Sequence, residues 1–298
     1  MLNTSSFQMP GAELQRLETS FPERVVGLGD GSRGAVRECG NGPVLMCLHG
    51  IGSGAASWLE VALPLAGEAR VIAWDAPGYG GSTALESRAP RATDYADRLT
   101  LLLDALQVER CVLVAHSLGA LIACAAAREG SAMARRITRL VLMSPASGYG
   151  APGKTERAAS VRSGRLDSLV RLGIEGMASE RSSRLLSENA SAQQRAWVRW
   201  NMARLNEAGY RQAVELLCGD DIFSYLPPVA PVRVLCGGRD VVTPPAACAE
   251  VAAACAVPLE LVRQAGHACY VEQPEEIAAV LRSELAAVQQ RDMKGREA

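Results

Sequence analysis

The chain has 298 residues, enough for one large domain carrying an insertion. Apolar residues make up 48%, charged residues 21%, and the formal net charge is −1. That balance is ordinary for a globular protein and offers no face-wide attraction to polyanions, so no nucleic-acid partner is expected.

In chain order, the opening "MLNTSSFQMPGAELQRLETSF" has no basic stretch followed by an apolar one, so no signal peptide is expected and residues 1–21 read as an N-terminal arm. "ERVVGL" and "RGAVREC" alternate and suit an antiparallel hairpin. "PVLMCLHG" (43–50), "ARVIAWDAPG" (69–78), "RCVLVAHS" (110–117), "RLVLMSPA" (139–146), "PVRVLCGGRD" (231–240) and "PLELVRQAGH" (258–267) are short apolar runs bounded by Pro, Gly or charge. Consecutive apolar positions point to parallel strands covered on both faces. Helices are predicted over 55–67, 93–106, 118–129, 245–256 and 274–289, with Thr93 and Asp94 suited to an N-cap region and Pro274 to a first turn. The alternation predicts an α/β fold: a mostly parallel central sheet flanked by helices. Residues 147–228 contain no convincing strand and read as a helical cap inserted before the penultimate strand. The core then comprises 22–146 and 229–290, with a tail over 291–298.

The most apolar stretch, "CVLVAHSLGALIACAAA" (111–127), is interrupted near its centre by His116 and Ser117. A membrane span needs about 20 uninterrupted apolar residues. A buried strand, a sharp turn and an alanine-rich helix fit better, and no membrane partner is expected. The nine cysteines form no C-x-x-C pair, so no zinc or redox motif is expected; they read as small buried side chains in a reducing cytoplasm.

Strand–"AHSLG"–helix is a variant of the G-x-S-x-G nucleophile elbow, with Ala115 in place of the first glycine. The small neighbours Ala115 and Gly119 let strand and helix approach, and the helix turns its positive end toward Ser117. A serine hydroxyl needs a base, and the base needs an orienting acid. The chain has only three histidines. His116 adjoins the serine on a turn where neighbouring side chains diverge. His49 ends an early strand. His267 follows the last strand, where open α/β sheets place their chemistry, and is the expected base. Asp240, on the loop "GGRDVVTPP", is the expected acid; Asp220 and Asp221 are rivals inside the cap. Backbone N–H donors for an oxyanion are expected from Leu118 and from the glycine-rich "HGIGSG", with Ile51 first and Gly52 second. No phosphate-binding glycine motif is present.

In sum, "LHGIGSGAASW", "WDAPGYGGS", "AHSLGA", "GGRDVVTP" and "AGHACYVEQPEEI", in this order, resemble the α/β-hydrolase superfamily in its capped serine-hydrolase branch, over about residues 22–288. The order Ser117, Asp240, His267 is the family's order. The resemblance implies acyl transfer to water at Ser117, a cap that covers the pocket and sets substrate choice, a structural Asp75, and no metal or organic cofactor. Dehalogenases and epoxide hydrolases of the family carry an aspartate at the elbow and are disfavoured. Enol-lactonases of aromatic catabolism are similar. So are the carbon–carbon bond hydrolases of meta-ring-fission products, which typically have Asn and Trp where this chain has His116 and Ala268.

The reading is a cytoplasmic serine hydrolase of a small carboxylic ester, lactone or thioester. The alternatives are a carbon–carbon hydrolase and, from another class, a non-catalytic receptor for a small molecule on the same fold. The expected partner is a small-molecule substrate with a carbonyl group, and a homo-oligomer is left open. His49, Gly50, His116, Trp58, Trp197 and Trp200 are candidates for the pocket wall, the tryptophans serving equally well as core. The cap arginines 157, 162, 165, 171, 181, 184, 195 and 199 read by default as a solvated helical face, although one guanidinium could hold a substrate carboxylate bidentately.

Overall fold

A strand that is apolar at every position must find cover on both faces, and the sheet is built that way. The computed structural model describes residues 11–297. Its strands are β1 (Glu23–Gly27), β2 (Arg33–Cys39), β3 (Val44–Leu48), β4 (Arg70–Asp75), β5 (Cys111–His116), β6 (Ile137–Met143), β7 (Val232–Gly237) and β8 (Leu259–Val262). They form one sheet in the order β1-β2-β4-β3-β5-β6-β7-β8. β1 pairs antiparallel with β2, and β2 antiparallel with β4; every other pairing is parallel.

Alternation divides the sheet's two faces. Leu45, Cys47, Val71, Ala73, Val112 and Val114 face α1 (Gly11–Ser20), α2 (Leu59–Leu65) and α10 (Pro274–Glu297). Met46, Leu48, Ile72, Trp74, Leu113 and Ala115 face α3 (Ala92–Ala105), α4 (Leu118–Ala127) and α8 (Pro245–Ala254). The two-residue side-chain period of a strand therefore feeds two separate cores. All ten residues of α4 are buried, which explains its lack of a polar face. Among the described residues, no helix is long and apolar enough to cross a membrane.

The strand order places the site. From β3 the chain moves to β4 on one side, then returns to β5 on the other. The carboxyl ends of β3 and β5 thus flank the point where the winding reverses, the crevice in which open α/β sheets bind ligands.

Between β6 and β7 the described residues form helices: α5 (Thr155–Arg181), α6 (Ala192–Ala203) and α7 (Glu207–Gly219), with 3-10 turns at Ser182–Leu185 and Ile222–Tyr225. α5 breaks at Gly173, whose φ of +64° is left-handed and suits glycine. The two ends of this segment lie side by side: Ile222 N–H donates to Ser147 O at 2.9 Å and Gly150 N–H to Asp220 O at 2.8 Å.

Three boundaries differ from expectation. Residues 11–20 of the predicted arm form α1, anchored by buried Leu17 and by the buried Arg37, which donates to Phe21 O at 2.8 Å and to Glu18 at 2.8 Å. Residues 1–10, which carry most of the no-signal-peptide expectation, lie outside the described residues. There is no separate tail from 291, because α10 runs on to Glu297. The N-cap of α3 is Arg91, with Asp94 as the third helical residue accepting from Arg91 N–H at 2.7 Å.

Candidate active site

Ser117 sits where β5 turns into α4, with φ +53° and ψ −115°, a backbone conformation that a side chain rarely adopts. Its surroundings hold it there. Ser117 N–H donates to Met143 O at 3.0 Å, and Ser117 O accepts from Ala120 at 3.0 Å and Ala146 at 3.1 Å. Strain of this kind persists only where neighbours over-determine it. Gly119 is required by close approach, because a Cβ there would stand 2.8 Å from both the Leu48 and His49 carbonyls. Ala115, the departure from the glycine pattern, is fully buried beside Leu48 and Leu142, and its methyl is accommodated.

Asp240 and His267 come from the loops after β7 and β8. Those loops touch so closely that a Cβ on Gly237 would overlap the Gly266 carbonyl. His267 Nδ1 donates to Asp240 Oδ2 at 2.8 Å. Asp240 Oδ1 accepts from the Val242 and Thr243 N–H groups at 2.7 and 2.9 Å. Burial pushes the Asp240 carboxyl up, but His267 and Thr243 more than offset it and hold the group at about 2. A residue that sequence reasoning missed completes the cluster: Thr243 Oγ1 lies 2.9 Å from Asp240 Oδ2, 3.1 Å from His267 Nδ1 and 3.0 Å from Ser144 O. With Nδ1 turned to Asp240, Nε2 is the nitrogen left for the cavity that His267 and Ser117 both line. No hydrogen bond joins Ser117 Oγ to the imidazole among the described residues. In ligand-free enzymes such a bond is often long and tightens when substrate binds.

His49 has a structural task. Its Nε2 accepts from Ala76 N–H at 3.0 Å, which fixes the tautomer, so Nδ1–H donates to Gly50 O at 2.8 Å. Ser53 N–H donates to the same carbonyl at 3.2 Å. In a trans peptide the N–H points opposite the carbonyl, so this grip orients Ile51 N–H. The N–H groups of Ile51, Gly52 and Leu118 have no partner among the described residues. Burial holds His49 neutral, at about 4. His116 is also buried; burial first and His267 second depress it to about 3. Its Nε2–H donates to His267 O at 2.9 Å, and the rings lie 4.6 Å apart. His116 therefore braces the loop that carries His267, while its Nδ1 is buried without a partner.

The cavity over Ser117 has a volume of about 610 Å³, within the ordinary range for small-molecule sites. Gly50, Ile51, Gly52, His116, Ser117, Leu118 and His267 line it. Four pocket candidates do not. His49 stands behind Gly50. Trp58 is buried, stacked on Tyr270 at 4.3 Å, and Tyr270 OH in turn donates to Ser57 Oγ at 3.0 Å. Trp197 and Trp200 stack on each other at 5.1 Å, their i,i+3 spacing placing both on one side of α6. Asp75 accepts from Ala55 N–H at 2.8 Å beneath the glycine-rich loop after β3, and burial raises its carboxyl. Asp220, a rival acid, is buried and tied to Ala92 N–H at 2.7 Å, Tyr225 OH at 2.9 Å and Arg91 at 3.2 Å, fastening the inserted helices to α3. Among the described residues, no group of three or more His, Cys, Asp or Glu side chains could hold a metal ion.

Residues 45–280 match the sequence model of the Alpha/beta hydrolase family. An uncharacterized protein of Mycobacterium tuberculosis is 36% identical over 118 residues, 38% of this chain. The match spans only 32% of that relative's length. "Putative carbamate hydrolase RutD" of Escherichia coli is 28% identical over 263 residues, 83% of this chain and 91% of that one. Among solved structures, a thermophilic esterase from Thermogutta terrifontis superimposes with a TM-score of 0.74 at 24% identity, over 89% of this chain and 98% of its own. The enol-lactonase from Burkholderia xenovorans does so with a TM-score of 0.76 at 20% identity, over 88% of this chain and 100% of its own. At those identities the likeness is one of fold.

Proposed function

The chain belongs to the alpha/beta hydrolase family, and from that premise we propose that it is a serine hydrolase acting on a small carboxylic ester, lactone or thioester. One observation carries the reading: an imidazole tied through Nδ1 to a buried carboxylate at 2.8 Å lines the same cavity as a serine on a strained turn. Ser117 Oγ attacks the substrate carbonyl carbon while His267 Nε2 takes the hydroxyl proton. The Ile51 and Leu118 N–H groups receive the oxyanion. As the tetrahedral adduct collapses, the carbon–leaving-group bond breaks and His267 returns its proton to the departing oxygen or sulfur. Water then attacks the acyl-enzyme, giving a proton to His267; as this second adduct collapses, the bond between the acyl carbon and Ser117 Oγ breaks, His267 returns the proton to Oγ, and the acid is released. Asp240 keeps the imidazole in the tautomer that leaves Nε2 free and stabilises its charged form.

In this reading the helical segment 147–228 is the cap over the pocket, and the Ile51 amide is the first oxyanion donor with Gly52 beside it. Nine cysteines present as free thiols suit a cytoplasmic setting.

The test is covalent labelling with a fluorophosphonate, combined with a panel of esters, lactones and thioesters. Wild type is labelled at Ser117 and turns over at least one panel member, and Ser117→Ala loses on the order of a millionfold in kcat. Absence of label on folded wild-type protein supports the receptor alternative. Turnover of a ring-fission product alone supports the carbon–carbon alternative.

A further inference from the structure

The same cavity contains a second chemical feature. Arg157, Arg165, Arg181 and Arg184 line it, and among the described residues no Asp or Glu does. Elsewhere on the inserted helices, arginines find carboxylates: Arg162 pairs with Glu215 at 2.9 Å, Arg171 with Glu180 at 3.8 Å and Arg211 with Glu207 at 2.7 Å. On the cavity side, among the described residues, Arg165 reaches no carboxylate and donates to the Tyr210 hydroxyl at 3.3 Å. Arg181 is half-buried, and its Nη1 is fully shielded with no hydrogen-bond partner. Burial and then the charge of Arg165 both disfavour the cation at Arg181. A shielded, unpartnered donor beside a second cation is costly unless something negative completes it.

The break at Gly173 makes this arrangement. Arg165 stands on the first limb of α5 and Arg181 at the end of the second, so two limbs of one helix bring their cations to one cavity. Val161, Met177, Met202, Leu205 and Leu217 add apolar surface to the same cavity.

We propose that the substrate carries a carboxylate, which seats on Arg165 and Arg181 while its scissile carbonyl lies at Ser117. This substrate class rests on the serine-hydrolase reading above. The planar forks of two guanidinium groups match a carboxylate's two oxygens, and the cavity's apolar side chains suit a hydrocarbon between the charge and the ester. Arg184, exposed at the rim, adds long-range attraction for the anion.

Four chromogenic esters test it. Mono-p-nitrophenyl glutarate carries the carboxylate on the acyl side, and p-nitrophenyl pentanoate is its neutral counterpart. 3-Butanoyloxy-4-nitrobenzoate carries it on the leaving group, with o-nitrophenyl butanoate as counterpart. Wild type is expected to prefer at least one anionic ester over its counterpart by about 10- to 100-fold in kcat/KM, the range set by one or two hydrogen bonds to a charged group. Arg165→Met/Arg181→Met abolishes that preference while leaving the neutral esters within about threefold. Arg181→Lys, which keeps the charge and loses the fork, falls between, and it serves if the double variant is not folded by circular dichroism. In parallel, glutarate binding to Ser117→Ala is measured by calorimetry; adding Arg165→Met/Arg181→Met weakens it at least tenfold.

No preference for either anionic ester, or an equal loss on charged and neutral esters, overturns the assignment. Inorganic phosphate binding more tightly than glutarate overturns the carboxylate in favour of a phosphate. If no ester is cleaved and Ser117 takes no label, the hydrolase reading has failed, and glutarate binding alone decides the anion site.

Discussion

With three histidines in the chain, acid stability can be assigned to individual rings. His49 and His116 are buried and held neutral, at about 4 and about 3 against an ordinary value of 6.5. Both are depressed, so below pH 6.5 the unfolded chain binds protons that the folded protein refuses. Stability must therefore fall as pH falls through this window, with a slope of up to about 1.4 kcal/mol per pH unit for each ring. From pH 6.5 to 4.5 that is about 2 kcal/mol per histidine and about 4 kcal/mol together, a large share of the 5–15 kcal/mol typical of a domain. Asp75 acts in the opposite sense, because its raised carboxyl favours the folded state as pH falls. Asp240, depressed to about 2, begins to cost stability only as pH drops through the ordinary carboxylate range near 4, below this window. The assay is urea unfolding at intervals of half a pH unit and constant ionic strength, on wild type, His49→Gln and His116→Gln. Each variant is less stable at pH 7, but the slope between pH 6 and 5 falls by about 1.2 kcal/mol per unit in each. The contribution of Asp75, common to all three proteins, cancels in that difference. An unchanged slope in either variant would refute the claim that its ring is held neutral by burial.

Further expectations follow from close contacts. Gly119→Ala forces a methyl against two backbone carbonyls 2.8 Å away, so it should cost about 2 kcal/mol or more and lower Tm measurably. Asp220→Ala leaves Ala92 N–H and the Tyr225 hydroxyl unpartnered and should cost about 3 kcal/mol in urea unfolding; a change below 1 kcal/mol would mean that Asp220 does not fasten the insertion. Thr243→Val removes the hydroxyl between Asp240 and His267 without changing volume. It should lower kcat about tenfold with KM unchanged, and Thr243→Ser should restore it.

What could be read in the sequence was whatever local chemistry dictates. The strands were legible because parallel strands must be apolar on both faces, and 111–127 showed strand, turn and helix within one stretch. His267 could be singled out because few histidines competed for the loop after the last strand, and the structure sets its ring against Asp240. What depends on chain segments meeting was not. Thr243 looks like any threonine before a proline pair until the loops after β7 and β8 touch. Trp197 and Trp200 carried the signal for stacking, their i,i+3 spacing, but nothing told which side of α6 faces the cavity. His49 read as a pocket residue because it abuts the glycine turn, whereas its ring is spent on the Gly50 carbonyl and the Ala76 amide. α1 was missed because a short helix on a polar segment is fixed by docking Leu17, not by propensity.

The arginines illustrate the limit most sharply, and they bear on how this fold divides its labour. The ten arginines of residues 147–228 look alike by spacing and composition; pairing separates those held by glutamates from those turned to the cavity. Ser117, Asp240 and His267 hang from strand ends, whose positions the sheet's hydrogen bonding fixes. The cavity's cations hang from helices tied to the rest of the fold by side chains and loops: the seam at Gly148–Asp221, the buried Asp220 carboxylate, Gln212 on the Leu85 and Ser87 carbonyls, and Ser187 on Glu272. A perturbation of that seam should therefore shift KM for an anionic substrate before it touches the reactivity of Ser117. The helices could likewise diverge in charge without disturbing the chemistry beneath them.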